Sequence, residues 1–235
     1  MSLKNWDNKT WLSSNKYIKT FNNFLSKQIK LNRDSQILDI GCGRGKILGS
    51  LSSKLRLKNK PIGIDIEKHK DRDRRIHFKK INAIDFMKKN KKKFDLIIIK
   101  QTIHLLKFKE IKKLIDASKM QLNENGKILI LTLETSHNEI PTFLLMKRKL
   151  KKSLERDKKI IQYISKLYPK NRNKKFSFKV KISRDKYTEM IKNRYISTLL
   201  GFSLHEILKG INQINLKYEK TLSFNDKLIC IILDK

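Results

Sequence analysis

The chain has 235 residues, 39% of them hydrophobic, and carries 56 Lys and Arg against 22 Asp and Glu, a net charge of +34. That length can bury a sizeable core. No apolar run approaches the roughly 20 residues of a membrane-spanning helix, and the opening MSLKNWDNKTW holds no continuous apolar stretch of the secretory-leader kind. A cytoplasmic location is therefore expected, with no membrane partner. Cys42 and Cys230 give neither a disulfide framework nor a metal-ligand spacing, so no metal is expected. The positive balance suits a nucleic-acid partner. It suits equally a solvated basic surface in a chain rich in Lys, Asn and Ile. Lysines occur in every segment, with denser runs at 88–93, 147–152 and 170–175, and this spread favours the second reading.

In chain order, residues 1–34 are polar, with Trp6 and Trp11, and then form an amphipathic helix. Tyr17, Ile18, Phe21, Leu25 and Ile29 share one of its faces. From residue 36 short apolar runs alternate with helical spacing. Strands are expected at 36–40, 60–65, 76–82, 94–99 and 126–134, and helices at 46–56, 84–91 and 108–121. That alternation predicts an α/β fold, a mostly parallel sheet covered on both faces. After Glu134 the rhythm changes. Residues 140–168 read as one or two helices, 169–176 as a basic loop, FKVKIS as a strand, 184–194 and 203–220 as helices, and DKLICIILD as a final strand. The division expected is an N-terminal helical arm or lid (1–34), a cofactor-binding core (35–139), a helical cap insertion (140–180) and the C-terminal part of the core (181–235).

The stretch LDIGCGRGK joins a buried strand to a helix through Gly41, Cys42, Gly43, Arg44 and Gly45. Glycines there let the chain turn sharply and let a ligand approach the backbone. The spacing is G-x-G-x-G rather than the G-x-G-x-x-G that cradles a pyrophosphate. At the end of the second strand, Asp65 in GIDIE is placed to accept from both hydroxyls of a ribose, with Glu67 as an alternative. In NAIDF, Asp85 either accepts from an adenine amino group or caps a helix. Ligands of open α/β sheets bind at the carboxyl ends of the strands, where all three features fall.

Together these residues resemble the class I S-adenosylmethionine-dependent methyltransferases. ILDIGCGRGKIL looks like that superfamily's first motif, GIDIE its acidic second and NAIDF its third, and FDLIIIKQTIHLL resembles its fourth-strand motif. LNENGKILILTLE resembles the fifth strand and the turn before it, with Asn125-Gly126 in the turn, and LICIIL fits the final strand. From SRDKYTEMIKNRYISTLL onward there is a weaker likeness to small-molecule methyltransferases of the trans-aconitate type. The resemblance implies a Rossmann-like seven-stranded sheet and S-adenosylmethionine as cofactor. It implies Asp39 near the methionine part of the cofactor. It also places Gly41, Cys42, Gly43, Asp65, Ile66, Ala83, Asp85 and Lys100 in the cofactor set. Ile66 and Ile84 either sandwich the adenine or pack in the core, and Cys42 fits a compact turn rather than a nucleophile.

KQTIHLL lacks the Asp/Asn-Pro-Pro-aromatic motif of nucleic-acid amino methyltransferases, and neither cysteine follows a proline, which argues against cytosine C5 chemistry. A small-molecule acceptor methylated at oxygen, in particular a carboxylate, is the leading expectation. An RNA methyltransferase and a non-catalytic cofactor-binding protein are the alternatives. His104 is either a base for the acceptor or a structural histidine, and His137 stands in the same position just past the fifth strand. A carboxylate acceptor needs no base, only basic groups to hold it. Arg184, Lys186, Tyr187 and Arg194 form a cluster of that type, or else a solvated helix face. Trp6, Trp11, Phe143, Leu144 and Met146 are expected either to line the acceptor pocket under a lid or to be ordinary core.

Overall fold

The computed structural model describes residues 10–235. Seven strands form one sheet: β1 (Ile37–Ile40), β2 (Ile62–Asp65), β3 (His77–Lys80), β4 (Phe94–Lys100), β5 (Leu122–Leu133), β6 (Arg172–Ser183) and β7 (Thr221–Asp234). Their order is β3-β2-β1-β4-β5-β7-β6. The first five run parallel. β7 lies antiparallel to β5, with Leu131 opposite Cys230, and β6 lies antiparallel to β7.

Alternate side chains of each strand feed two cores, because successive strand residues point to opposite faces. On one face, Ile37, Leu96, Ile98, Leu129, Leu131 and Ile232 meet helices α1 (Asn15–Gln28), α2 (Lys46–Leu55), α6 (Arg184–Lys192) and α7 (Leu204–Lys217). On the other, Leu38, Ile40, Ile97, Ile99, Ile128 and Ile130 meet α3 (Ala83–Lys89), α4 (Phe108–Met120) and the second half of α5 (Leu144–Leu167). This three-layer α/β sheet is the Rossmann-like architecture that the alternating pattern predicts.

Two boundaries differ from the expected ones. Residues 172–176, expected in the basic loop, belong to β6, which runs on through the expected strand 178–183. Its apolar members Phe176, Phe178, Val180 and Ile182 alternate strictly with exposed residues. Lysines crowd the exposed positions, so the short period is masked in a simple count of charge. Helix α5 is likewise a layer helix: Ile160 and Ile164 are fully buried against the sheet. Asn125-Gly126 falls inside β5 at a register irregularity opposite Phe94–Leu96 rather than in a free turn before the strand. Gly126 is required there, since a Cβ would come within 2.7 Å of the Phe94 carbonyl oxygen.

Helix α1 is capped by the Ser14 hydroxyl, which accepts from the Tyr17 N–H. Its Tyr17 and Phe21 meet Phe176 of β6 edge-to-face, at 5.6 and 5.1 Å between ring centroids. The helix therefore lies in the core layer, and the short 3-10 turn Trp11–Ser13 before it is what reaches the carboxyl end of the sheet. Among the described residues no helix is long and apolar enough to cross a membrane.

Candidate active site

A cavity of about 670 Å³ opens at the carboxyl ends of β1, β2, β4 and β5. Its first half is built by the loop after β1. Gly41 has φ +75° and approaches the segment after β4 so closely that a Cβ would sit 2.0 Å from the Thr102 hydroxyl oxygen. Gly45, at φ +70°, starts α2 in the left-handed conformation that side chains disfavour.

Asp65 ends β2 beside this loop. One of its carboxylate oxygens accepts from the Gly43 N–H at 2.9 Å and the other from the Glu67 N–H at 2.9 Å. His69 Nε2 stands 3.8 Å from the first of these oxygens. A carboxylate has about four acceptor positions, so each oxygen keeps capacity for a further donor. Ile66 follows with 60% exposure, an apolar side chain left open at the cavity wall together with Ala83 and Asn82. A glycine cradle, a polar acceptor and an apolar platform suit the amino-acid end, the ribose and the base of a nucleoside cofactor, in that order.

Asp39 lies just behind this wall and does not line the cavity. Burial pushes its carboxyl up to about 7, against the pull of the Lys100 ammonium and with a contribution from Asp65. Lys100, at the end of β4, lines the cavity and also lies over the Tyr17 and Phe21 rings at 5.5 and 5.6 Å. Burial raises the Cys42 thiol well above its ordinary value. Its sulfur lies against Gly63, where a Cβ would meet it at 2.8 Å, so it serves packing and not nucleophilic chemistry.

After Lys100, Gln101 takes φ +51° and turns the chain into the short 3-10 segment Ile103–Leu105. That turn presents Thr102 and His104 to the second half of the cavity. Burial holds the His104 imidazole below its ordinary value, Asp157 working in the opposite direction and Arg156 with it. Asp157 comes from the middle of α5 and accepts from the Thr132 hydroxyl at 2.7 Å. The remaining wall is Trp11, Leu133, Leu150, Tyr195, Leu200 and Asp226 among others. Trp11 Nε1 donates to Asp226 at 3.0 Å, and its ring meets Tyr195 edge-to-face at 5.2 Å.

Of the expected site residues, Gly41, Asp65, Ile66, Ala83, Lys100, His104 and Trp11 converge on this cavity. Gly43 enters through its N–H to Asp65. Others stand elsewhere. Asp85 is in the first turn of α3, 57% exposed at its side chain, with Lys88 at 3.9 Å; Asn82, the N-cap of that helix, occupies the wall instead. His137 is exposed in the loop after β5 and outside the cavity. Arg184 donates to the Asn215 and Tyr218 carbonyls at 2.7 and 2.9 Å, closing the end of α7. Arg194 donates to the Phe202 carbonyl. Tyr187 is fully buried, donating to the Pro141 carbonyl at 2.6 Å and paired with the Tyr195 hydroxyl at 3.0 Å. Arg184 and Arg194 are thus spent on backbone closure and Tyr187 on the core, while Lys186 is exposed on α6 outside the cavity. Phe143 and Met146 are buried core, Leu144 is exposed away from the cavity, and Trp6 lies outside the described residues.

Asp157, Thr132 and Asp226 are among the polar residues of the cavity that the sequence does not single out. Asp157 sits among lysines on a long helix and reads there as a surface charge.

The comparisons with known proteins point the same way. The family model of a methyltransferase domain matches residues 13–181. No curated protein sequence matches the chain. Among solved structures, one assigned as a methyltransferase of an antibiotic biosynthesis pathway from Anabaena variabilis is similar at 14% identity. It covers 89% of this chain and 95% of its own, with a TM-score of 0.64. The plantazolicin methyltransferase BpumL, solved with a monoazolic desmethyl-plantazolicin analogue and S-adenosylhomocysteine, covers 98% and 87% at 18% identity, TM-score 0.54. An S-adenosylmethionine-dependent methyltransferase from Archaeoglobus fulgidus covers 93% and 94% at 19% identity, TM-score 0.51. At these identities the likeness is one of fold. The weaker resemblance to the trans-aconitate type gains no support from these neighbours.

Proposed function

Because this chain belongs to the methyltransferase domain family, we propose that its cavity joins an S-adenosylmethionine site to a small-molecule or small-peptide acceptor whose oxygen is methylated. The observation that carries this reading is one continuous cavity running from Asp65, Ile66 and Ala83 past Gly41 and Lys100 to His104 and Asp157. When bound, the cofactor supplies a methyl group activated on a sulfonium sulfur. Gly41 gives it a close backbone approach, Asp65 accepts from the ribose hydroxyls with Glu67 beside it, and Ile66 and Ala83 flank the base. Lys100 lines the cavity toward the cofactor's amino-acid end, with Asp39 buried behind that wall.

On the acceptor side, much of the rate comes from holding the nucleophile in line, which needs a shaped and dry site. Trp11, Leu133, Leu150, Tyr195 and Leu200 supply that wall. A hydroxyl acceptor must lose its proton, and His104 is suited to take it: burial keeps the imidazole in its neutral, accepting form near pH 7. A carboxylate acceptor is less well served, since Arg184 and Arg194 are committed to backbone carbonyls.

The test is incubation with methyl-labelled S-adenosylmethionine and a cell extract divided into metabolite, peptide and RNA fractions. Label is expected in the metabolite or peptide fraction, and Asp65→Ala is expected to lower its incorporation at least about tenfold through lost cofactor binding. Label confined to RNA would replace this reading by the nucleic-acid one. Tight cofactor binding with no label anywhere would leave a protein that binds without turnover.

A further inference from the structure

The cavity and the rest of the molecule carry opposite balances of charge. In a chain of net charge +34, the cavity is lined by Asp65, Glu67, Glu110, Asp157 and Asp226 against Lys100 and Arg156. Most of these acids are accounted for. Asp65 and Glu67 stand at the ribose end, and Glu110 accepts from the Lys107 N–H at the start of α4. Asp226 holds the Trp11 indole.

Asp157 is the exception. It is 6% exposed and lies in the acceptor half. Among the described residues its single hydrogen bond is from the Thr132 hydroxyl to one carboxylate oxygen. The second oxygen accepts no hydrogen bond among the described residues, and Asp157 lines the cavity. A carboxylate withdrawn from water is costly unless something offsets it. Its chain neighbour Arg156 does not bond it, donating instead to the Leu106 carbonyl at 3.1 Å. The other polar side chain beside it is His104, which burial favours in the uncharged form. Burial raises the Asp157 carboxyl above its ordinary value, opposed by the Thr132 hydrogen bond and by the nearby His104 and Arg156 without direct bonding from either, so a cation brought from outside would stabilise its charged form.

Resting on the proposed methyl-transfer reading, we propose that the acceptor carries a protonated nitrogen, an ammonium or guanidinium, which seats against the free oxygen of Asp157. The apolar wall of Leu133, Leu150 and Leu200 with Trp11 and Tyr195 then takes the body of the molecule. Asp157 is a binding residue here and leaves the methylated oxygen to His104. A hydrogen-bonded ion pair in such a setting gives both affinity and orientation. The arrangement also selects against anions, which would meet a buried carboxylate.

The experiment is calorimetric titration of the full chain saturated with S-adenosylhomocysteine, using three probes with one aromatic body: tyramine, 4-methylphenol and 4-hydroxyphenylacetate. Tyramine is expected to bind at least about tenfold more tightly than the neutral and anionic probes, a difference of about 1.4 kcal/mol. Asp157→Asn keeps the shape of the side chain and is expected to remove that preference, with affinity for S-adenosylhomocysteine unchanged as the check on folding. Equal or weaker binding of tyramine overturns the proposal, as does a tyramine preference that survives Asp157→Asn. Failure of the wild-type protein to bind S-adenosylhomocysteine would instead overturn the methyl-transfer reading beneath it.

Discussion

Asp39 shows what one buried charge does to this fold. Its carboxyl sits on a β1 position surrounded by core, at 5% exposure, between the Lys100 ammonium and the Asp65 carboxylate. Burial is the largest influence and raises it from 3.8 to about 7. A carboxyl whose folded value is raised binds its proton more tightly folded than unfolded. Its contribution is therefore harmless below about pH 4 and increasingly destabilising as pH rises toward 7. Asp39→Asn removes that dependence. We predict that the stability of the wild type relative to Asp39→Asn falls by something on the order of 4 kcal/mol between pH 4 and pH 8, read from urea unfolding of both proteins at each pH. Parallel pH profiles would show that Lys100 offsets the burial in full.

At the scale of elements, the N-terminal turn is tied to β7 by one hydrogen bond set among ring contacts. Trp11 comes from the first described segment and Asp226 from β7, 215 residues apart, and their hydrogen bond closes one side of the acceptor cavity. Trp11→Phe keeps most of the ring contacts to Tyr195 and Phe224 but removes the donor to a nearly buried carboxylate. It is expected to lower stability by about 1–3 kcal/mol, measured as a shift of the urea midpoint at unchanged slope. A change of a few tenths would mean that the indole N–H is dispensable.

The same pair marks the limit of what is legible in the chain. Gly41 and Asp65 are readable because backbone conformation and strand position prescribe them, Ile66 only through the family resemblance, and the cavity contains all three. Trp11 with Asp226, and Thr132 with Asp157, are pairings between segments 25 or more residues apart. No local period announces them. Asp85 misleads for a related reason: an acid in the first turn of a helix is favoured electrostatically whether or not a ligand lies near. β6 is the element-scale counterpart, its two-residue period carried by four apolar residues under a cover of lysines.

At the scale of the whole molecule, the charge of +34 and the cavity are separate features. The runs at 88–93, 147–152 and 170–175 fall on the end of α3, the outer side of α5 and the start of β6, and their only member at the cavity wall is the apolar Leu150. A basic exterior of this size attracts any polyanion, with an affinity that falls steeply as salt displaces the condensed counterions. We predict that a random-sequence RNA binds the protein at 50 mM salt and loses affinity by roughly 10³ at 200 mM if about six phosphates are engaged. Affinity for S-adenosylhomocysteine should change by less than about threefold over the same range, because partly buried contacts such as those of Asp65 are screened far less than exposed ones. Saturating RNA should likewise leave that affinity untouched. If RNA competes with S-adenosylhomocysteine, the phosphate track runs into the cavity, and the lysine runs become part of substrate recognition. If it does not, the exterior charge governs only where the protein resides and what it encounters, while the acids inside the cavity govern what it accepts.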